Sequence, residues 1–129
     1  MQDDKLWKVF SEFIRLRDSD SDGFGNCITC KKKVHYKESH AGHFISRRHK
    51  ATKFDEKNVH LQCVACNTFN NGRQYEYSLE LDRRYGKGTA EKLLQKSNEL
   101  KKFVKWELDN LVNEYKEKVK QLKSKKNFT

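Results

Sequence analysis

Cys27-Ile28-Thr29-Cys30 and, further along, Asn58-Val59-His60-Leu61-Gln62-Cys63-Val64-Ala65-Cys66-Asn67 are the two stretches on which the fold turns. Each carries a Cys-x-x-Cys pair, and 32 residues separate the pairs. A tight turn presents the two sulfurs of a pair to one side, so two pairs can bring four thiolates to the corners of a tetrahedron. The spacing predicts one structural zinc ion held by Cys27, Cys30, Cys63 and Cys66. Closed four-sulfur coordination leaves no position for substrate, so such an ion holds a fold together and does no chemistry. Two disulfides are the competing use of four cysteines, and a reducing compartment disfavours them.

Outward from the knuckles, residues 25–67 are rich in His, Cys, Gly and β-formers, and residues 26–29, 34–36, 43–45 and 59–62 read as short strands. Between the last two lies Ser46-Arg47-Arg48-His49-Lys50-Ala51-Thr52-Lys53, too polar for core and basic enough to attract phosphate. Arg47, Arg48, Lys50 and Lys53 are therefore candidate DNA contacts. Upstream, Leu6, Val9, Phe10, Phe13, Ile14 and Leu16 follow helical spacing until the turn formers of residues 18–23 end the helix. The stripe of Trp7, Phe10 and Phe13 reads as packing.

Downstream of Cys66 the pattern is helical. One helix over residues 75–85 stops at Gly86-Lys87-Gly88, and Thr89 is placed as the N-cap of the next. Val104, Leu108, Leu111, Tyr115 and Leu122 then mark a long amphipathic helix, which either packs on the N-terminal helix or joins a second copy as a homodimer. The basic tail, residues 123–126, is expected to fray. The fold class is α+β. Residues 1–86 form an N-terminal helix and a zinc-stapled core, and 87–129 a helical extension within the same unit or as an arm.

Lys and Arg total 28 against 18 acidic residues in 129, a formal charge of +10, which concentrates polyanions and makes nucleic acid the first partner to consider. Hydrophobic residues at 35% leave little material for a core, so a metal cross-link has a physical role here. No stretch has the length of a membrane span and no secretory pattern opens the chain, so a cytoplasmic location is expected.

Set in order, Cys27-Ile-Thr-Cys30, His40-Ala41-Gly42-His43-Phe44 and the Asn58–Asn67 run resemble the zinc-stapled HNH nucleases, in particular the NinG (Rap) family of phage recombination endonucleases. The resemblance runs from the first helix through Tyr85-Gly86 and implies a ββα-metal core. It also implies metal-dependent phosphodiester hydrolysis, with His43 as general base, Asn58 bracing the hairpin and Asn67 as ligand to a catalytic ion. Branched recombination intermediates such as Holliday junctions are the implied substrate, and a phage-encoded protein acting in its bacterial host the implied setting.

The chemistry agrees with these residue types. Histidine, with an ordinary pKa of about 6.5, suits a base at neutral pH, and an amide oxygen suits a hard ion, Mg²⁺ or Mn²⁺, better than zinc. Where many HNH nucleases carry a metal-binding aspartate just before the base, this chain has Gly42. His40 is the expected substitute, reaching across the bare glycine on the same strand face. His60 is a further candidate ligand, Asp55 and Glu56 shape the loop before Asn58 or add a ligand, and His35 and His49 are expected to be non-catalytic.

Two rival readings use the same residues. A zinc-finger-like DNA-binding module without catalysis explains the charge and the cysteines but leaves His43 and Asn67 without a task. A zinc-stapled protein-interaction adaptor working through the C-terminal helix leaves the basic loop unexplained. Within the nuclease reading, the sequence does not separate a junction resolvase from a nicking or double-strand-cutting enzyme.

Overall fold

In the computed structural model, which describes residues 3–126, two small antiparallel hairpins sit among helices. The first pairs β1 (Phe24–Asn26) with β2 (Lys33–His35), and the second pairs β3 (His40–His43) with β4 (Val59–Gln62). The helices are α1 (Asp4–Arg17), the short α2 (Lys50–Lys53), α3 (Gln74–Tyr85), α4 (Thr89–Ser97) and α5 (Lys105–Lys125). A 3-10 turn at Tyr36–Glu38 and a π-helical turn at Ala65–Phe69 complete an α+β architecture. Among the described residues no helix is long and apolar enough to cross a membrane.

Three strands differ from their sequence reading, the second only by running over Lys33–His35 because Tyr36 opens the 3-10 turn. The first stops at Asn26, because Cys27 begins the knuckle: its carbonyl accepts from Lys31 N at 2.9 Å, and Lys31 takes a left-handed φ of 69°. The third starts at His40, since Ala41 and Gly42 pair with Leu61 and His60, and the β-formers Phe44 and Ile45 pack instead beside Ile28, Tyr77, Leu81 and Leu93. Tertiary pairing outweighs local β-propensity there.

The main core lies between α1 and α5. Leu6, Phe10, Phe13 and Ile14 of α1 meet Val59 and Leu61 of β4 on one side and Leu108, Val112, Tyr115 and Val119 of α5 on the other. The apolar face that was open to an internal or an external partner thus lies against α1. Its stripe runs through Val112 and Val119, while Leu111 and Leu122 are half-buried and Val104 is exposed. Lys118, in the gap of the stripe, lies over the Phe13 and Tyr115 rings.

Two capping expectations are corrected. Gly88, with φ at 93°, occupies the N-cap of α4, and Thr89 is its first residue, with a hydroxyl bonded to Gly86 O at 2.7 Å. The basic tail is tied down rather than frayed: Lys123 pairs with Glu12 at 2.9 Å and Lys126 Nζ donates to the Leu16 and Ser19 carbonyls.

A polar clasp fixes α1 to the second hairpin. Arg17 donates to the carbonyls of Glu56 and Val59, each at 2.9 Å, and grips the Asp18 carboxylate, which accepts Leu61 N at 2.9 Å. Burial works to raise the Asp18 pKa, but these donors prevail and hold it below the ordinary carboxylate value.

Tyr115 tests the α1–α5 seam, because its ring meets Phe10 and Phe13 and its hydroxyl donates to Glu56 at 2.8 Å. Tyr115→Ala should cost about 3–5 kcal/mol in urea unfolding, as expected for a buried ring. Tyr115→Phe, which keeps the ring, should cost only about 1 kcal/mol.

Candidate metal centre and adjoining cleft

The turn after β1 and the turn after β4 bring the sulfurs of Cys27, Cys30, Cys63 and Cys66 within 4.8 Å of one another. Cys30 Sγ and Cys63 Sγ are 3.7 Å apart. Zn–S bonds of about 2.3 Å imply tetrahedral S···S edges of about 3.8 Å, so the cluster could hold one zinc ion. None of the four is in a disulfide. Burial acts to raise the Cys27 thiol, yet the Cys63 amide, the Thr29 hydroxyl and the Cys30 amide outweigh it and bring the pKa to about 6. Burial and the crowding of the other thiols push Cys63 up to about 12, and sulfurs packed this closely need a cation to ionise together.

His43 ends β3 and stacks on Trp7 of α1, with ring centroids 4.7 Å apart. Its Nε2 lies 3.0 Å from Lys53 O. A carbonyl oxygen only accepts, so Nε2 carries the proton and Nδ1 keeps the lone pair. Burial, first, and the nearby Arg47 and Lys53 charges lower the imidazole to about 4, against the opposing pull of the Lys53 carbonyl. The neutral form is favoured well beyond the expectation for a histidine of ordinary pKa.

In the same cleft, Asn67 Nδ2 and His40 Nδ1 are 2.9 Å apart. Asn67 is held in the π-helical turn by its own N–H, which donates to Cys63 O at 3.0 Å, so the cysteine cluster sets its position. His40, His43 and Asn67 share a cleft of about 770 Å³, with Trp7, Arg15 and Arg47 also on its walls. The expected reach of His40 over Gly42 is corrected: the Gln62 carboxamide fills that space, and a Cβ on residue 42 would meet Gln62 Oε1 at 2.1 Å. His40 turns to Asn67 instead.

Asn58 is fully buried and bonds backbone on two sides: Oδ1 accepts Ile45 N at 2.8 Å, and Nδ2 donates to Ile45 O and Thr52 O, each at 3.0 Å. His60 lies away from the cleft. Its Nδ1 and Nε2 face the hydroxyls of Tyr77 and Tyr85 at 3.3 and 2.7 Å, so both nitrogens are engaged and the ligand expectation is corrected. Asp55 pairs with Lys96 and Glu56 with Lys118, so neither carboxylate serves the cleft.

The basic loop divides. Arg47 and Arg48 are exposed, whereas Lys50 and Lys53 close on the buried Asp3 at 2.8 and 2.9 Å, and Lys53 is itself buried. As a phosphate contact Lys53 is corrected: its ammonium neutralises Asp3 while its carbonyl holds His43. Trp7, whose sequence reading is packing, and Arg15 belong to the cleft. Their signal is helical spacing: Trp7, Ser11 and Arg15 recur every four residues on one face of α1, beside the core stripe.

Fold and site define a small α+β protein with a cluster of four cysteines that could hold a metal ion, beside a cleft lined by histidine, asparagine and arginine. The chain belongs to the family described as Bacteriophage Lambda NinG protein, which it matches over residues 2–126. It is 30% identical over 118 residues to Protein ninG of Escherichia phage 933W, covering 91% of this chain and 56% of that protein. The matching figures for Protein ninG of Escherichia phage lambda are 29% over 118 residues, with 91% and 55% covered. For that of Salmonella phage P22 they are 28% over 117 residues, with 90% and 55% covered. The chain thus spans little more than half the length of these curated relatives. No solved structure matches it.

His60 makes the stability of the fold depend on pH. Burial lowers its folded pKa to about 3 from the ordinary 6.5, with Asp18 acting in the opposite direction. Below about 6.5 the unfolded chain therefore binds a proton that the folded chain refuses, and stability falls with pH until the folded pKa is reached. Urea midpoints should drop between pH 7 and pH 4, and His60→Gln should give a shallower slope over that window. An unaltered slope would mean that His60 is not held neutral.

Proposed function

We propose that this chain is a metal-dependent DNA endonuclease of the HNH type that hydrolyses phosphodiester bonds in branched recombination intermediates. His43 is its general base, and the four cysteines hold a structural zinc ion. One observation carries the reading: the Lys53 carbonyl commits His43 Nε2 to carrying the proton, so Nδ1 is a lone-pair base in the cleft that also holds His40 and Asn67. The branched substrate rests on resemblance to the phage recombination endonucleases.

In this mechanism Nδ1 of His43 takes a proton from water as the water oxygen bonds to phosphorus, and the P–O bond to the leaving oxygen breaks. The leaving oxygen takes a proton from solvent. Trp7 stacking and the Asn58 bonds to Ile45 and Thr52 hold the imidazole and its loop in place. Arg47, Arg48 and Arg15 supply positive charge for the phosphates.

His40 and Asn67 also fit a hard divalent ion. Their polar atoms meet at 2.9 Å in the cleft, so His40 Nδ1 and the Asn67 carboxamide are the groups that would hold it. Exchanging the ends of the Asn67 amide would present its oxygen at that position. Held by these residues, Mg²⁺ or Mn²⁺ would supply charge neutralisation on the phosphate and the leaving oxygen.

Incubation with labelled four-way junction, flap and duplex DNA in Mg²⁺, Mn²⁺ or EDTA tests the activity. His43→Ala should lower cleavage about 10²- to 10⁴-fold while DNA affinity and zinc content hold. Because the free base titrates near 4, kcat/KM should stay level on the acid side down to about pH 5. Wild-type rates in the His43→Ala protein would remove the assignment.

Metal analysis of purified protein should find one zinc per chain, and Cys63→Ser should lose both the ion and cooperative unfolding. Finding two disulfides in the folded protein would refute the zinc site.

A further inference from the structure

Between Asn67 and α3 the chain makes a loop whose shape is closely held. Asn71, Gly72 and Arg73 take φ values of 53°, 82° and 47°, three consecutive left-handed residues of which two carry side chains. Such conformations are costly and persist where surrounding bonds enforce them. Here Gly72 N donates to Cys66 O at 2.7 Å, Arg73 N to Asn70 O at 3.1 Å, and the buried Gln62 Nε2 to Gly72 O at 2.9 Å. The loop is thus anchored to the cysteine cluster and to β4, and Asn71 and Gly72 line the cleft.

Two aromatic rings stand on the flanks of this loop. Phe69 closes the π-helical turn two residues after Asn67, and Tyr75 opens the outer face of α3. They are 79% and 73% exposed, and Leu79, one turn beyond Tyr75, is 54% exposed. Burying rings of this size is worth far more than leaving them in water, so a rigid loop displaying two of them suggests a partner.

We propose that Phe69 and Tyr75 form a stacking platform for bases exposed at the branch point of DNA, which selects branched over continuous duplex at the cleft. The inference rests on the nuclease reading above and adds the element that recognises substrate structure. Charge favours nucleic acid as the occupant: the cleft walls carry Arg15 and Arg47, and the chain bears +10. An exposed ring offers a base a stacking face and a cation takes a phosphate of the same strand, and stacking tolerates any sequence because every base has a π-face. Within a continuous duplex those faces are covered by neighbouring pairs. At a branch they are open, so the platform would read structure without reading sequence.

The test measures binding by anisotropy in EDTA, using a four-way junction and a duplex of matched length, with 5-iodouridine at the branch for photocrosslinking. Phe69→Ala and Tyr75→Ala should each weaken junction binding about 5- to 100-fold. Duplex affinity and zinc content should be essentially unchanged, and crosslinks should map to residue 69 or 75. Tyr75→Phe should keep junction affinity, since the ring and not the hydroxyl stacks. Equal junction affinity in wild type and both alanine variants would overturn the proposal, and cleavage by the same wild-type protein would leave the nuclease reading standing. Ring-dependent junction binding without any cleavage would keep the platform and remove the nuclease. Effects confined to association with another protein or a second copy, at unaltered DNA affinity, would overturn the platform.

Discussion

Four sulfurs within 4.8 Å of one another join the turn after β1 to the turn after β4, and the rest of the site hangs from that junction. Asn67 follows Cys66 directly and bonds back to Cys63 O, while Gly72 N closes on Cys66 O. The loop that shapes one wall of the cleft is therefore an extension of the cysteine cluster. A chain with 35% hydrophobic residues has little core to spare for this region, and a cation held by the four thiolates would supply the rigidity that burial elsewhere provides.

The surroundings of His43 are built by burial. Trp7 covers the face of His43, the Lys53 carbonyl commits one ring nitrogen, and neighbouring cations disfavour a second proton. The result is an imidazole kept neutral against the Trp7 ring, with its lone pair on Nδ1. Lys53 joins two tasks here, since its ammonium is spent on Asp3 while its backbone orients the histidine. Removing the Asp3 pairing would leave a buried charge and disturb the carbonyl that sets the tautomer.

These two regions meet through α1 and β4. Arg17 and Asp18 clasp the carbonyls and amide of the strand segment over residues 56–61, and α5 covers the far side of α1 with Leu108, Val112, Tyr115 and Val119. The C-terminal helix thus supports the helix that carries Trp7, Ser11 and Arg15 into the cleft, although it contributes no side chain to the cleft itself.

Much of this was legible in the order of residues. Paired Cys-x-x-Cys turns specify four converging sulfurs because their chemistry and loop spacing leave few other uses, and helical periodicity marked α1 and α5 because a buried stripe must repeat every three to four residues. Strand limits, the true N-cap of α4 and the anchored tail were not legible, since each depends on a partner distant in the chain. The same holds within the site. His40 and Asn67 were nameable from their pattern, but their 2.9 Å approach, the filling of the space over Gly42 by Gln62 and the capture of His60 by two tyrosines came from packing. The sequence by itself determined which donors and charges this protein possesses, because side-chain chemistry is local. Only the tertiary structure decided which were buried, paired or left to face the cleft, because burial and hydrogen bonding depend on residues far apart in the chain: Lys53 reads as a phosphate contact until Asp3, fifty residues earlier, closes on it.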